Sequence, residues 1–463
     1  MNLQPYPEYK DSGVAWLGKV PKHWEIHPNR ALFYERNMKN NPEIELLSVT
    51  ITKGVIRQKE LISNTSKKDS SNEDKSKYKL VKQGDIAYNK MRMWQGAVGA
   101  SKYEGIVSPA YIIVHPRVEM NEWFCHYLFR SPKYVKESHR YSYGICDDQL
   151  SLRIDDFKKI FTPKPQLEEQ HQIVKFLDYK SAQITRFIKA KKRMIELLKE
   201  QKQVIINDAV TGKIDVATGK PYPKHKDSGV EWLGQVPEGW EVEKLKHLYQ
   251  NINEQTNKKL DDDIYLALEN VESWSAKITL SDEEIKFESQ VKKFREEDIL
   301  FGKLRPYLAK VVKPDFKGVC VSEFLVLRKA TDDVVPNYLE LKLRSKVIID
   351  VINQSTFGAK MPRADWGFIG NLMLSIPSIQ EQSKIVTYIE IKTAALALAI
   401  SRCEREITLM QEYRTRLVSD VVTGKIDVRD IEIPDIANTD DTIDESIEEP
   451  EGEEELETAE AEE

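Results

Sequence analysis

A chain of 463 residues with 40% hydrophobic side chains can bury more than one core, and no run approaches the roughly 20 apolar residues of a membrane-spanning helix. The formal charge of −6 is unevenly spread: Arg429 to Glu463 holds seventeen acidic residues against one basic, leaving 68 Lys and Arg against 58 Asp and Glu in residues 1–428. A body of about +10 suits a polyanionic partner as well as an ordinary solvated surface, and the acidic tail is expected to be disordered.

The opening MNLQPYPEYK lacks the charged-then-apolar order of a signal peptide, so a cytoplasmic protein is expected. Next comes KDSGVAWLGKVPKHWE at residues 10–25, which recurs as KDSGVEWLGQVPEGWE at 226–241, 216 residues later. Then follow short segments rich in β-branched and aromatic residues, KLVKQGDIAYNK and GIVSPAYIIVHP, which read as strands of a mixed α/β domain, and a helical patch at Asn121 to Ser131. After Pro165, EEQHQIVKFLD opens a long helical pattern that ends at DAVTGKIDV.

The second half repeats this order. It has a strand-like VCVSEFLVLRK, a helical patch at Asn337 to Val351, Pro377, QEQSKIVTYIE and DVVTGKIDV, the last three displaced by 212. GDIAYNKMR at 84–92 and EDILFGKLR at 297–305 share Asp, Ile, Lys and Arg at an offset of 213. The chain is a tandem duplication in which a shared frame encloses two divergent inserts.

In the first helix, heptad steps from Ile173 reach Leu177, Lys180, Ile184, Phe187, Lys191, Met194, Leu198, Gln201 and Ile205. In the second they reach Ile389, Lys392, Leu396, Ala399, Cys403, Glu406, Met410, Tyr413 and Leu417. Proline precedes each start and Gly212 or Gly424 follows each end, as helix boundaries require. Rods of roughly 60 Å cannot bury themselves alone, so the two are expected to pack antiparallel. Two unrelated surface helices would give the same pattern.

Signals for catalysis are missing. NNPEI at Asn40 to Ile44 lacks the second proline and the aromatic of an amino-methyltransferase loop. No GxxxxGK[ST], HExxH or GxSxG occurs, and the TGK of TGKIDV follows a helix where a phosphate loop would precede one. Cys125, Cys146, Cys320 and Cys403 are scattered and read as reduced thiols, and the adjacent acids Asp147, Asp148, Asp155 and Asp156 read as solvated loops or helix starts. The chain is expected to be no enzyme.

The order PxxxEQxxIV, long helix, TGKIDV and KDSGVxWLGxVPxxWE, present twice across residues 1–428, resembles the specificity subunit of type I restriction-modification systems. The resemblance implies an α+β protein: two tandem mixed α/β target recognition domains separated by two long helices packed as an antiparallel coiled coil, with pseudo-twofold symmetry. The implied divisions are 1–165 (N-terminal repeat segment and first recognition domain), 166–212 (first spacer helix), 213–377 (central repeat segment and second recognition domain), 378–428 (second spacer helix and terminator) and 429–463 (acidic tail). It further implies that each domain reads one half of a bipartite site in double-stranded DNA. The frame would dock two methylating subunits, and restriction subunits would join them. This chain would bind no cofactor, while S-adenosylmethionine, ATP and magnesium would sit on the partners.

The candidate DNA-binding residues are Lys90, Arg92 and Trp94, the matched Lys303, Arg305 and Tyr307, and Tyr143, Arg153, Lys360 and Arg363 in the loops YSYGICDDQLSLR and STFGAKMPR. The first half lacks the proline that follows Arg305, which separates Arg92 from it. Salt-bridged turns would explain the same residues. The lysine-rich stretch from Lys67 to Lys82 suits phosphate or a solvated loop. Candidate partner-docking residues are Trp16, Trp24, Trp232, Trp240, Gly212, Lys213, Gly424 and Lys425, although tryptophans beside Gly and Pro also serve as packing anchors. A duplicated coiled-coil scaffold that binds only proteins is the alternative, and an enzyme with an unrecognised site is a third.

Overall fold

The computed structural model describes residues 3–63, 74–144, 150–256, 264–280, 290–356, 358 and 361–434. Lys360, Cys146, Asp147, Asp148, part of the lysine-rich stretch and the acidic tail beyond Pro434 therefore lie outside the described residues. The chain divides into two units, one holding everything up to Lys191 and from Arg405 onward, the other Lys192–Glu404.

Both units are built around the same sheet. In the first, strands β1 (Phe33–Glu35), β2 (Ile86–Asn89), β3 (Val98–Ala100) and β4 (Tyr111–Pro116) pair antiparallel in the order β1-β4-β2-β3. In the second, β5 (Tyr249–Ile252), β6 (Ile299–Gly302), β7 (Val311–Val312) and β8 (Phe324–Lys329) pair as β5-β8-β6-β7. The register is identical: Tyr111 faces Asn89 in one sheet and Phe324 faces Gly302 in the other, both displaced by 213. Divergent letters therefore carry one strand order, because β pairing needs apolar, β-branched residues at alternate positions and is tolerant of which ones.

Behind each sheet stand two short helices. Glu122–Phe129 starts at Asn121, whose side chain accepts the N–H groups of Trp123 and Phe124, and Pro132–Arg140 follows it. The patch expected at Asn337 to Val351 is likewise two helices, Pro336–Leu343 and Lys346–Gln354. Ser131 and Ser345 mark the break in each pair, their hydroxyls donating to the carbonyls of Leu128 at 2.6 Å and Lys342 at 2.7 Å.

Each insert leaves the frame through a two-stranded neck. Glu25–Pro28 pairs with Phe161–Lys164 in the first unit, and Glu241–Lys244 with Met373–Ile376 in the second. The long helices α1 (Leu167–Val210) and α2 (Ile379–Val422) begin three residues after those necks and run for 44 residues each, about 66 Å at 1.5 Å per residue. They pack antiparallel: in the first unit Lys191 meets Glu406 at 2.6 Å, and in the second the Met194 sulfur lies 3.9 Å from that of Cys403. Lys191 and Glu406 are both polar residues at seam positions, and they satisfy each other.

The strict heptad drifts in the middle of α1. Ile184 and Ile188 are buried, while Phe187 and Met194 are 37% and 45% exposed, as a 3.6-residue helix gives when it is not overwound to 3.5. Among the described residues no helix is long and apolar enough to cross a membrane, and no group of three His, Cys, Asp or Glu is placed to hold a metal. Cys125, Cys320 and Cys403 are free and buried.

Candidate nucleic-acid interface

The repeated frame closes on one glutamate per unit, Glu169 buried and Glu381 half-buried. Glu169, in the first turn of α1, accepts from the Tyr6 hydroxyl at 2.6 Å and the Trp24 indole at 3.0 Å, and its other oxygen lies 2.8 Å from His23 Nε2. Glu381 in α2 accepts from the Tyr222 hydroxyl and from the Trp240 indole at 3.1 Å. The next residue does a second job. Gln170 accepts the Asn121 N–H at 2.8 Å and donates to the Pro165 carbonyl at 2.8 Å, while Gln382 accepts from Val335 at 2.7 Å and donates to Pro377 at 2.9 Å. The Glu-Gln pair of the repeat thus fixes tryptophan and recognition domain to the helix start together.

The terminator packs against the same tryptophan. Gly212 and Gly424 end the two helices at φ 78° and 76°. A methyl group on Gly212 would meet Pro237 and Trp240, and on Gly424 would meet Pro21 and Trp24. Only glycine fits both the left-handed backbone and the contact. Lys213 and Lys425 bridge back to Asp208 and Asp420 at 3.4 and 2.7 Å.

Trp24 and Trp240 are 0% and 1% exposed, so neither ring can itself meet a partner; they shape the frame from within. Trp16 and Trp232 are half-buried, Trp16 lying edge-on to Tyr134. The sequence reading missed the matched pairs Tyr6 with Glu169 and Tyr222 with Glu381. The signal was present, since PYP precedes both copies of the frame, at 5–7 and 221–223.

In each insert the structure brings the two predicted loops together. The Leu152 N–H donates to the Lys90 carbonyl at 2.8 Å, and the Ala364 N–H to that of Lys303 at 3.0 Å. Tyr143 pairs with Ser151, and Leu304 with Arg363. Arg305, Tyr307, Arg363, Tyr143 and Arg153 are exposed, and among the described residues the Arg305 guanidinium has no partner. Arg305 sits at φ 51° with its N–H bonded to the Pro362 carbonyl, and four residues on Ala309 is at φ 47°.

The first unit differs here. Arg92 has φ −128°, and the position matching Ala309 is Gly96. Trp94 is pinned, donating to the Met91 carbonyl at 2.9 Å and lying edge-on to His139, whereas the matched Tyr307 is 43% exposed.

Beneath each loop lies a buried lysine that sequence reading passed over. Lys79 Nζ donates to the Tyr111 carbonyl at 2.8 Å, and Lys292 Nζ to the Phe324 carbonyl at 2.9 Å, again 213 apart. Burial pushes both amines below their usual pKa. The shared aspartates of the faint echo are structural: Asp85 accepts the Lys82 N–H and Asp298 that of Arg295, each at 2.8 Å.

Fold and site define a class: a duplicated frame carrying two homologous sheets whose exposed loops differ in chemistry. The comparisons agree. The chain is 22% identical over 255 residues, 52% of its length and 56% of the relative's, to the type I restriction enzyme EcoDI specificity subunit of Escherichia coli. It is 24% identical over 241 residues, 50% of its length and 53% of the relative's, to the putative type I restriction enzyme MjaX specificity subunit of Methanocaldococcus jannaschii. It is 23% identical over 377 residues, 76% of its length and 81% of the relative's, to the MjaVIII specificity subunit of the same organism. The chain spans about half the length of the first two of these curated relatives.

A solved structure from work on complex assembly and conformational transition of the type I R-M system has the same fold, with a TM-score of 0.59 at 14% identity, covering 87% of this chain and 98% of that one. No family model matches the chain. The resemblance read from the sequence is borne out: the chain is a relative of type I restriction-enzyme specificity subunits.

Proposed function

We propose that the chain is the DNA-recognition subunit of a type I restriction-modification complex, each unit reading one half of a bipartite site in double-stranded DNA. The observation that carries this reading is the pair of matched loops. Lys90 and Lys303 are held by the same backbone hydrogen bond on the same strand, yet the surrounding exposed side chains differ. One scaffold with two chemistries is what two different half-sites require, and a protein-only scaffold gives no reason for it. Cations at the loops supply phosphate contacts and salt sensitivity, and arginine supplies groove contacts to guanine.

The long helices act as the spacer between readers, which on one face of a duplex stand about a helical turn apart or a multiple of it. The duplicated frame, with Trp16 and Trp232 at its surface and Lys213 and Lys425 at the terminators, docks two methylating subunits, and a restriction subunit joins them. S-adenosylmethionine, ATP and magnesium serve those partners, and this chain supplies direction without chemistry of its own.

The test is adenine methylation mapped by single-molecule sequencing in host DNA, with the gene intact and deleted. Loss of one bipartite motif on deletion is the expected result. An unchanged methylome in cells expressing the partner subunits would favour the protein scaffold instead.

A further inference from the structure

The two sheets can be compared position by position, which isolates where the readers part company. The Ala110 carbonyl accepts the Lys90 N–H at 3.3 Å, and the Glu323 carbonyl accepts the Lys303 N–H at 2.8 Å, so residues 110 and 323 occupy one place. Ser151 and Arg363 directly precede the residues whose N–H groups bond Lys90 and Lys303, and so occupy another. Thus the first unit carries alanine and serine where the second carries glutamate and arginine. The charged residues answer each other: Arg363 Nη2 lies 2.9 Å from Glu323 Oε1.

The pair is layered. The Arg363 side chain is 58% exposed and the Glu323 side chain 25%, and Glu323 Oε2 is closed off from solvent with no hydrogen-bond partner. A carboxylate so enclosed is a brace for the guanidinium above it. One N–H of the fork is engaged; of five donors, the others have no partner among the described residues. The loop is tied to its neighbour by the Leu304–Arg363 bridge and by the Arg305 N–H on the Pro362 carbonyl, which brings the segment of Arg363 alongside that of exposed Arg305. A guanidinium held at one N–H and more than half exposed keeps donors for the O6 and N7 acceptors of guanine in the major groove.

We propose that Arg363, oriented by Glu323, reads a guanine in the half-site of the second unit, and that the first unit makes no such contact at the matched place. This rests on the DNA-recognition reading above. Arg363 is the reader and Glu323 a positioning residue.

The test is selection from a randomised duplex library by the full chain assembled with its methylating subunits. The wild type should select two fixed blocks. Arg363→Ala and Glu323→Ala should each make one guanine column of one block degenerate, losing roughly ten- to a hundredfold discrimination there, with the other block unchanged. Arg363→Lys should lose the same column, since an ammonium cannot bond two acceptors as a fork, while Glu323→Gln keeps an acceptor and should keep the preference. Arg363 is exposed and Glu323→Ala installs the residue of the first unit, so both variants should fold. The proposal is overturned if Arg363→Ala weakens every sequence alike with a shallower salt dependence, the signature of a phosphate contact, or leaves all columns intact. A wild type that selects no sequence would sink the DNA-recognition reading itself.

Discussion

At Glu169 a charge that looks like an ordinary acidic first turn of a helix is instead the acceptor for two buried donors. Replacing it with alanine strands the Trp24 indole and the Tyr6 hydroxyl in the core. We expect Glu169→Ala to cost about 1–3 kcal/mol in a denaturant melt, and Glu381→Ala a similar amount in the second unit. Ala309 offers the opposite sign. Its φ is 47°, in the left-handed region, and the matched position is Gly96 at φ 94°, so Ala309→Gly should relieve about 1–2 kcal/mol and raise the melting temperature, while Gly96→Ala lowers it.

Lys342 is buried without a carboxylate. Its Nζ donates to the Val210 carbonyl at 2.8 Å and to Ser375 Oγ at 3.1 Å, and desolvation pulls its pKa down to about 7 from the usual 10.5. Between those values the unfolded chain holds a proton that the folded chain does not, so stability rises with pH across that window and the cost of burying the charge is full below it. Melts of wild type and Lys342→Met from pH 7 to 10 should show the wild type gaining on the variant, and equal slopes would count against a buried neutral amine.

At the scale of elements, the proposed function makes the long helices set the distance between half-sites. Inserting four residues into both adds one turn, about 6 Å, or roughly two base pairs. The methylated motif should then keep both half-sites and lengthen only the gap between them; a change in the bases would contradict a spacer role.

The frame and the rods were legible in the sequence because they repeat the same letters at offsets of 212 and 216, and Pro165, Pro377, Gly212 and Gly424 punctuate them. The twin sheets were much less so. Strand pairing fixes which positions are buried and not which residue fills them, so KLVKQGDIAYN and VKKFREEDILFG hide a common register. Lys79 read only as part of a lysine-rich stretch suited to phosphate or solvent, and Lys292 drew no reading, because nothing local announces that a carbonyl waits beside them. Of the recognition loops the sequence placed Arg305 and Arg363 close in role, but Glu323 is joined to Arg363 across 40 residues by tertiary pairing alone.

At the scale of the whole chain, the repeat has matched junctions in its two units. In the second unit Asp215 pairs with Lys220 within one continuous stretch, and in the first the matched bridge joins Asp427 to Gln4, from opposite ends of the described chain. A chain opened between Ala217 and Thr218, with Asp427 joined to Gln4 through a loop as long as residues 216–219, should fold and keep the same DNA motif, as methylome mapping would show. Failure to fold would mean that the two junctions are not equivalent.

The necks have a consequence for inheritance. Each recognition domain meets the frame through four paired residues on either strand, Glu25–Pro28 with Phe161–Lys164 and Glu241–Lys244 with Met373–Ile376. Whatever lies between them could be exchanged as one cassette, provided that the replacement also presents the N–H groups that Asn121 and Val335 offer to Gln170 and Gln382. If the chain is the DNA-recognition subunit proposed above, a lineage carrying this architecture would acquire a new target by a single recombination event, and its partner subunits would follow without changing a residue.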